Sequence, residues 1–462
     1  MSFSALRRRS SRGVAALSGK DRKKARVLIL GGGFVGLYTA LGLERRLSPA
    51  EVDITLVNPE SFMAYQPFLP EAAAGNIEPR HVVVPLRTVL KRTSLVTGSA
   101  IALDHDGRVA TIQPVEGEPY DISYDVIVIA LGSVSRVLPI PGLVDVAVGF
   151  KTVAEAIYLR NQILESMDAA ESTDDASVRR RVLTFVFVGG GYAGVEALAE
   201  LEDLARDASR NYKRIRRADM RWVLIEAAPM ILPEMAPDMG PYATRILRER
   251  DIEVCLSTTL ESAEGGRLRL SNGEEFEADT LVWTAGVRPH PFVAEVGLPT
   301  DERGRLITDR YLRVMDVDGA WAAGDCAAVP DVTTGGTNPP TAQHALRQAR
   351  RLAGNIAATL KGQPPTEFQY KNMGGIASLG RYKGIARVFS LRFKGFPAWW
   401  LHRNYHVFLV PTFNRKIRIM LDWTVGLVFR RDVAQLGSLQ RPREAFEEAA
   451  EANSTRTVGA GR

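Results

Sequence analysis

Cysteine is nearly absent: Cys255 and Cys326 are the only two in 462 residues. That excludes a disulfide framework and a C-x-x-C or C-x4-C redox pair, since neither residue has a partner at such spacing. So little use of disulfides fits a reducing, cytoplasmic setting. Histidine is scarce as well. The 6 present show no metal-ligand spacing, so no metal is expected. Long apolar runs are also missing, and no window reaches the 18 or so residues that a spanning helix requires.

Positive charge is in excess, with a formal net value of +6, yet its placement argues against a nucleic-acid partner. Arg7, Arg8, Arg9, Arg12, Arg22, Lys23, Lys24 and Arg26 all precede or open the first apolar strand. This extension lacks the apolar centre of a secretory signal. It reads as a basic disordered arm over residues 1–25, with attraction to anionic lipid as the alternative. The chain is too long for one ordinary core, so two or three domains are expected.

What the chain does have is glycine in two telling places. Val27 to Leu30 is an apolar run ending in Gly31, Gly33 and Gly36; Phe185 to Val188 is another, ending in Gly189, Gly191 and Gly194. Each G-x-G-x-x-G follows a strand pattern and opens a helical one, which is the context that gives the motif meaning. The first glycine permits the tight reversal, the second admits a pyrophosphate to the backbone, and the third lets helix and strand pack closely. Phe34 and Val35 in one turn, and Tyr192 and Ala193 in the other, complete the anion-binding helix starts.

Each turn belongs to a βαβ unit. The second strands are predicted over Val52–Val57 and Met220–Ile225, ending at Asn58 and Glu226. A side chain there reaches a ribose hydroxyl, and the Glu226 carboxylate favours NADH by repelling the extra phosphate of NADPH. Tyr124–Ala130 and Asp279–Ala285 are later strands that end at Gly132 and Gly286. The polar stretch Asp168–Arg181 reads as a surface connection.

Gly324 and Asp325, closing the run from Gly319, resemble the second flavin fingerprint of two-dinucleotide flavoproteins. In that superfamily the N-terminal turn binds FAD and the inner turn binds NAD(P)H. Within it the chain, from about Arg26 to Leu439, is similar to the type II NADH dehydrogenases, the single-subunit NADH:quinone oxidoreductases. Tyr65 to Glu71 with Gly75 resembles the family segment that lies against the flavin ring, through Gln66 and Pro67. Val188 to Glu196 resembles its V-G-G-G-x-T-G-V-E motif, whose glutamate, here Glu196, lies near nicotinamide and flavin. Ala342, Gln343, Arg347 and Gln348 resemble its quinone-site motif A-Q-x-x-x-Q-Q, with Arg347 in place of a glutamine, and Met373 stands where the family often has lysine. If the segment is helical, Gln343 and Arg347 share a face with Gln348 beside them.

The resemblance implies an α/β fold of two Rossmann-like domains, with the NADH domain inserted in the FAD domain. The expected boundaries are 26–150 and 297–375 for FAD, 151–296 for NADH, 376–440 for a C-terminal membrane-association or dimerisation region, and 441–462 for a flexible tail. Phe396–Val410 and Lys416–Arg431 combine apolar residues, Trp and Tyr with basic flanks, as suits the headgroup boundary. A homodimer face is the alternative.

The implied function is hydride transfer from NADH to FAD, and of two electrons on to a membrane quinone in a respiratory chain, without proton pumping. The expected location is the cytoplasmic face of the cell membrane, attached peripherally. Two other readings stay open: a reductase with a ferredoxin-type acceptor, and a nucleotide-sensing flavin-binding protein with little turnover.

Overall fold

A computed structural model describes residues 24–235, 237–333, 335–370 and 374–435. The expected arm up to residue 23, the expected tail from 441, and Met373 lie outside the described residues. The chain divides into two compact units. The first takes the residues up to Ser61 with Leu86–Gly132 and Pro289–Tyr370; the second takes Phe62–Pro85, Ser133–Arg288 and the residues from Lys371.

The first unit is built on a seven-stranded sheet. Its order is Ala320–Ala322, Val126–Ile129, Ala25–Leu30, Val52–Asn58, Ser94–Asp104, Val109–Pro114 and Tyr120–Ser123. Neighbours are parallel as far as Ser94–Asp104, and the last two strands return as an antiparallel meander. The central strands are buried on both faces, which is why Val27–Leu30 and Val126–Ile129 are unbroken apolar runs. Helices Phe34–Arg46 and Ala342–Leu360 pack together. They approach so closely that a Cβ on Gly42 would lie 2.5 Å from Ala353 Cβ.

The second unit repeats the plan with five parallel strands: Ala147–Val148, Thr280–Trp283, Thr184–Val188, Arg221–Ile225 and Ile252–Cys255. Helix Tyr192–Ala208 follows the glycine turn. Phe62–Ala64 and Val83–Pro85 pair as an antiparallel ribbon, and the short helix Leu69–Ala73 between them packs on Tyr192–Ala208 and Val153–Ser172, so this insertion belongs with the second unit. A three-stranded sheet, Ile376–Ser378, Gly384–Val388 and Leu391–Lys394, leads into helices Phe396–Leu409 and Phe413–Val428.

The stretch Asp168–Arg181 corrects the expectation of a plain connection. Helix Val153–Ser172, begun by a Thr152/Glu155 capping box, runs into it, and helix Ala176–Val182 starts a few residues later. Asp175 Oδ1 accepts from the Ser177 and Val178 N–H groups at 2.7 and 3.2 Å. A polar composition here marks exposed helix faces and a cap, not a turn.

Candidate functional site

The two glycine turns share one construction. In the first unit the Gly31 N–H donates to Val57 O at 2.8 Å and the Gly32 N–H to Asn58 Oδ1 at 2.7 Å. In the second the Gly189 N–H donates to Ile225 O at 2.9 Å and the Gly190 N–H to Glu226 Oε2 at 2.5 Å. Asn58 and Glu226 therefore close their turns in the same way, and differ in charge.

The glycines divide into two kinds. At Gly31 (φ +103°) a Cβ would lie 2.4 Å from Ala130 O, and at Gly36 1.7 Å from Gly31 O. At Gly189 (φ +113°) it would lie 2.7 Å from Thr284 C, and at Gly194 2.0 Å from Gly189 O. Those four are required by the protein's own packing. Gly33 and Gly191 have nothing within 4 Å of the same position. Both are the N-caps of their helices, without a side-chain cap and without an acid in the first turn. An uncapped helix start opening on free space fits the diphosphate of a dinucleotide.

The neighbouring residues support the second turn. Glu226 Oε1 accepts from the Ala228 N–H at 2.7 Å, so two backbone groups orient this carboxylate. Tyr192 OH donates to Met235 Sδ at 2.9 Å, and burial raises the phenol above its ordinary range. Val35 is buried in the first helix start. Gly132 and Gly286 both have positive φ, +67° and +90°, with open space at the Cβ position. Gln66 Nε2 donates to Lys151 O at 3.2 Å and Pro67 lies in the 3-10 turn Gln66–Phe68; both belong to the second unit.

In the first unit Gly324 (φ +78°) begins the turn that holds Asp325, and a Cβ on it would lie 2.7 Å from Val35 Cγ2. Its N–H donates to Gln348 Oε1 at 2.8 Å. Gln348 is buried and turned into this unit, which corrects its expected place beside Gln343 and Arg347. A step of five residues swings a side chain well round a helix, out of the face that steps of four share. Ala342 opens the helix, capped by Thr341. Arg347 Nη1 donates to Gln343 O at 2.9 Å while its guanidinium lies 4.3 Å over the Tyr370 ring. Tyr370 OH donates to Gln343 Oε1 at 3.2 Å.

Glu196 is buried in the second unit, on the helix that the second turn opens. Its Oε1 accepts from the Ser378 N–H at 2.8 Å and stands 3.1 Å from His402 Nε2. Burial opposes the His402 imidazolium, but Glu196, with Glu71 and Glu200 behind it, outweighs burial and raises the histidine above its ordinary value. His406, one turn along, is held well below its ordinary value by burial and then by His402. Tyr65 OH is 3.3 Å from His406 Nδ1. Glu71 Oε2 accepts from Arg403 Nη2 at 2.7 Å and from Trp423 Nε1 at 2.8 Å.

Sequence reasoning missed Glu71, His402, His406 and Arg403 as a group. Two signals were available: Glu71 ends the segment resembling the flavin-ring motif, and His402 and His406 recur at helical spacing inside an aromatic run.

These contacts also orient the C-terminal helices within the second unit. Trp399, His402 and Ile419 are buried, and Asp422 Oδ2 lies 2.6 Å from His81 Nδ1. Phe408, Phe413, Leu421, Val425 and Val428 point the other way and are exposed. Among the described residues no helix is long and apolar enough to cross a membrane. Both cysteines are free, and burial pushes the Cys326 thiol up to about 11.

Comparison with known proteins completes the assignment. Residues 25–349 match the pyridine nucleotide-disulphide oxidoreductase family. The type II NADH:quinone oxidoreductase of Staphylococcus aureus is 32% identical over 379 residues, covering 80% of this chain and 90% of the relative. NdhA of Mycobacterium tuberculosis, of the same description, is 30% identical over 444 residues, covering 91% and 90%. The structure of NDH2 from Plasmodium falciparum in complex with NADH aligns with a TM-score of 0.84 at 16% identity, covering 89% of this chain and all of that one, and shows a shared fold. The chain belongs to the pyridine nucleotide-disulphide oxidoreductases and, among them, to the type II NADH:quinone oxidoreductases.

Proposed function

We propose that this protein is an FAD-dependent NADH:quinone oxidoreductase that works at a membrane surface. The observation carrying the reading is the pair of like-built turns with unlike closing residues. Asn58 closes a turn in the unit that also holds Gly324 and Asp325; Glu226 closes the other.

FAD, when bound, supplies a group that takes up two electrons as a hydride and releases them to a second substrate. Gly31, Gly33 and Gly36 hold its diphosphate at the helix start, with Asn58, Gly132, Asp325 and Ala342 around it. Gln348 fixes the Gly324 turn by accepting from its N–H. Gly189, Gly191 and Gly194 do the same for NADH, with Gly286 nearby. The Glu226 carboxylate receives the ribose hydroxyls and disfavours a 2′-phosphate.

Glu196 Oε1 and His402 Nε2 form a buried ion pair at 3.1 Å. Glu196 holds the His402 proton more firmly than an ordinary imidazole would, beside a second ring, His406, whose proton affinity burial and His402 depress. This suits a site that must supply protons as a quinone becomes a quinol. Gln343, fixed by Tyr370, is the polar group assigned to the quinone.

The exposed apolar face of the C-terminal helices supports peripheral attachment, its Phe, Leu and Val side chains entering the headgroup boundary. The cytoplasmic leaflet is the side where NADH is available. A pair of chains using part of this region is the remaining element of the reading.

The test is stopped-flow reduction by NADH followed by a pulse of menaquinone or ubiquinone. Rapid bleaching of the flavin and rapid reoxidation by one of them is the expected course. Bleaching without reoxidation by either would remove the quinone while leaving the nucleotide assignments intact.

A further inference from the structure

The helix Ala342–Leu360 carries a second feature, on a face that the nucleotide cradle does not use. Arg347, Arg351, Gly354 and Ala358 follow one another at steps of four, three and four, so they share one stripe. Arg350 flanks the stripe, and Arg46, at the end of helix Phe34–Arg46, reaches across from the neighbouring helix. Together with Asn355, Phe368 and Tyr370 they line a hollow of about 400 Å³.

Three observations make this more than a solvated basic face. First, no aspartate or glutamate lines the hollow, and among the described residues none of the four arginines pairs with a carboxylate. Just over half of the other described arginines do, as Arg26 does with Asp125 and Arg305 with Asp301.

Second, two of the guanidiniums are held in place by uncharged partners. Arg347 lies on the Tyr370 ring and donates to Gln343 O, and Arg46 Nη1 donates to Gly42 O at 3.0 Å. Third, the floor is small. Gly354 and Ala358 line it with no side chain beyond a methyl group.

Four unneutralised guanidiniums around a void repel one another, and a multiply charged anion relieves that repulsion. The planar fork of arginine matches phosphate oxygens two at a time. A volume of this size admits a small organic molecule and not merely a lone ion. We propose that this hollow is a binding site for a phosphate-bearing anion carrying at least two negative charges. Two sources share that chemistry: a free diphosphate or nucleotide, and a phospholipid headgroup. None of the residues lining the hollow belongs to the Gly31–Gly36 turn or to the Gly189–Gly194 turn.

The experiment uses the full-length, flavin-loaded protein and the double variant Arg350→Gln/Arg351→Gln. Calorimetric titration with pyrophosphate and with ADP is compared with co-sedimentation on phosphatidylcholine vesicles with and without phosphatidylglycerol. If the ligand is free, the wild type binds pyrophosphate or ADP in a salt-sensitive manner and the double variant binds at least tenfold more weakly. If the ligand is a headgroup, the variant loses the increment in vesicle binding that phosphatidylglycerol confers on the wild type.

Arg350→Lys/Arg351→Lys retains part of the affinity in either case, since it keeps charge and loses the fork. Equal binding by wild type and the glutamine variant to all three probes, or no binding of any probe by the wild type at low salt, overturns the site. Because the titrations need no turnover, the result is independent of which acceptor the enzyme reduces.

Discussion

Glu196 Oε1 and His402 Nε2 meet at 3.1 Å inside the second unit, their side chains 9% and 2% exposed. A buried carboxylate that loses its cation is costly, so His402→Leu should lower stability by about 3 kcal/mol near pH 6. The pH dependence has a definite sign. The folded His402 holds its proton above its ordinary value, so its stabilisation is full below about pH 6.5 and is lost as pH rises through the raised folded value. The gap in unfolding temperature between wild type and His402→Leu should therefore be widest near pH 6 and shrink toward pH 9. A gap independent of pH would mean that packing, not the ion pair, is what the variant removes.

His406 has the opposite sign. Burial and His402 keep it neutral in the folded chain, so the unfolded chain binds the extra proton as pH falls below about 6.5, and stability falls with it. His406→Gln cannot take up that proton when unfolded. Its unfolding temperature should decline less than that of the wild type between pH 7 and pH 5. A steeper decline in the variant would show that His406 is protonated in the fold.

The nucleotide preference rests on Glu226. Glu226→Gln removes the charge and keeps one of the two oxygens that accept from the Gly190 and Ala228 N–H groups. The ratio of kcat/KM for NADH over NADPH should fall by about tenfold or more, a change of about 1.4 kcal/mol. An unchanged ratio, with normal NADH turnover, would defeat the ribose role.

The glycines of each turn predict different failures. Gly36→Ala places a methyl 1.7 Å from Gly31 O, so the first unit should fail to assemble. Gly33→Ala meets nothing within 4 Å. It should fold with an unfolding temperature near that of wild-type apoprotein, yet retain much less flavin after gel filtration, because the methyl occupies the diphosphate's approach. Normal flavin content in Gly33→Ala would show that the diphosphate sits elsewhere.

Much of this was legible in the sequence because the nucleotide sites are local. Gly31, Asn58, Gly189 and Glu226 each lie in a βαβ unit whose apolar runs and glycine spacing announce it. What escaped was non-local or depended on rotation about a helix axis. Gln348 matched a motif position yet turns inward to Gly324, a direction that letter matching does not carry. Glu71, Glu196 and His402 are far apart in the chain, and their convergence depends on the C-terminal helices folding back through Arg403 and Trp423. Asp168–Arg181 read as a connection because exposed helix faces and loops have similar composition.

The same polar anchors determine which side of the C-terminal helices is left bare, and this gives the membrane reading its sharpest test. Arg403 and Trp423 are drawn to Glu71, and Asp422 to His81. Phe413, Leu421 and Val428 are thereby turned outward, 78%, 57% and 77% exposed. Replacing these three by Gln removes apolar area without touching the anchors, so the fold and the oxidation of NADH with a water-soluble quinone analogue should persist. Each apolar square ångström withdrawn from water is worth roughly 25 cal/mol, so losing three large side chains should release the protein from vesicles in a flotation assay. Two outcomes separate the alternatives. Retained flotation would relocate the membrane contact to another surface, whereas retained flotation with a changed sedimentation coefficient would identify this face as the contact between two chains.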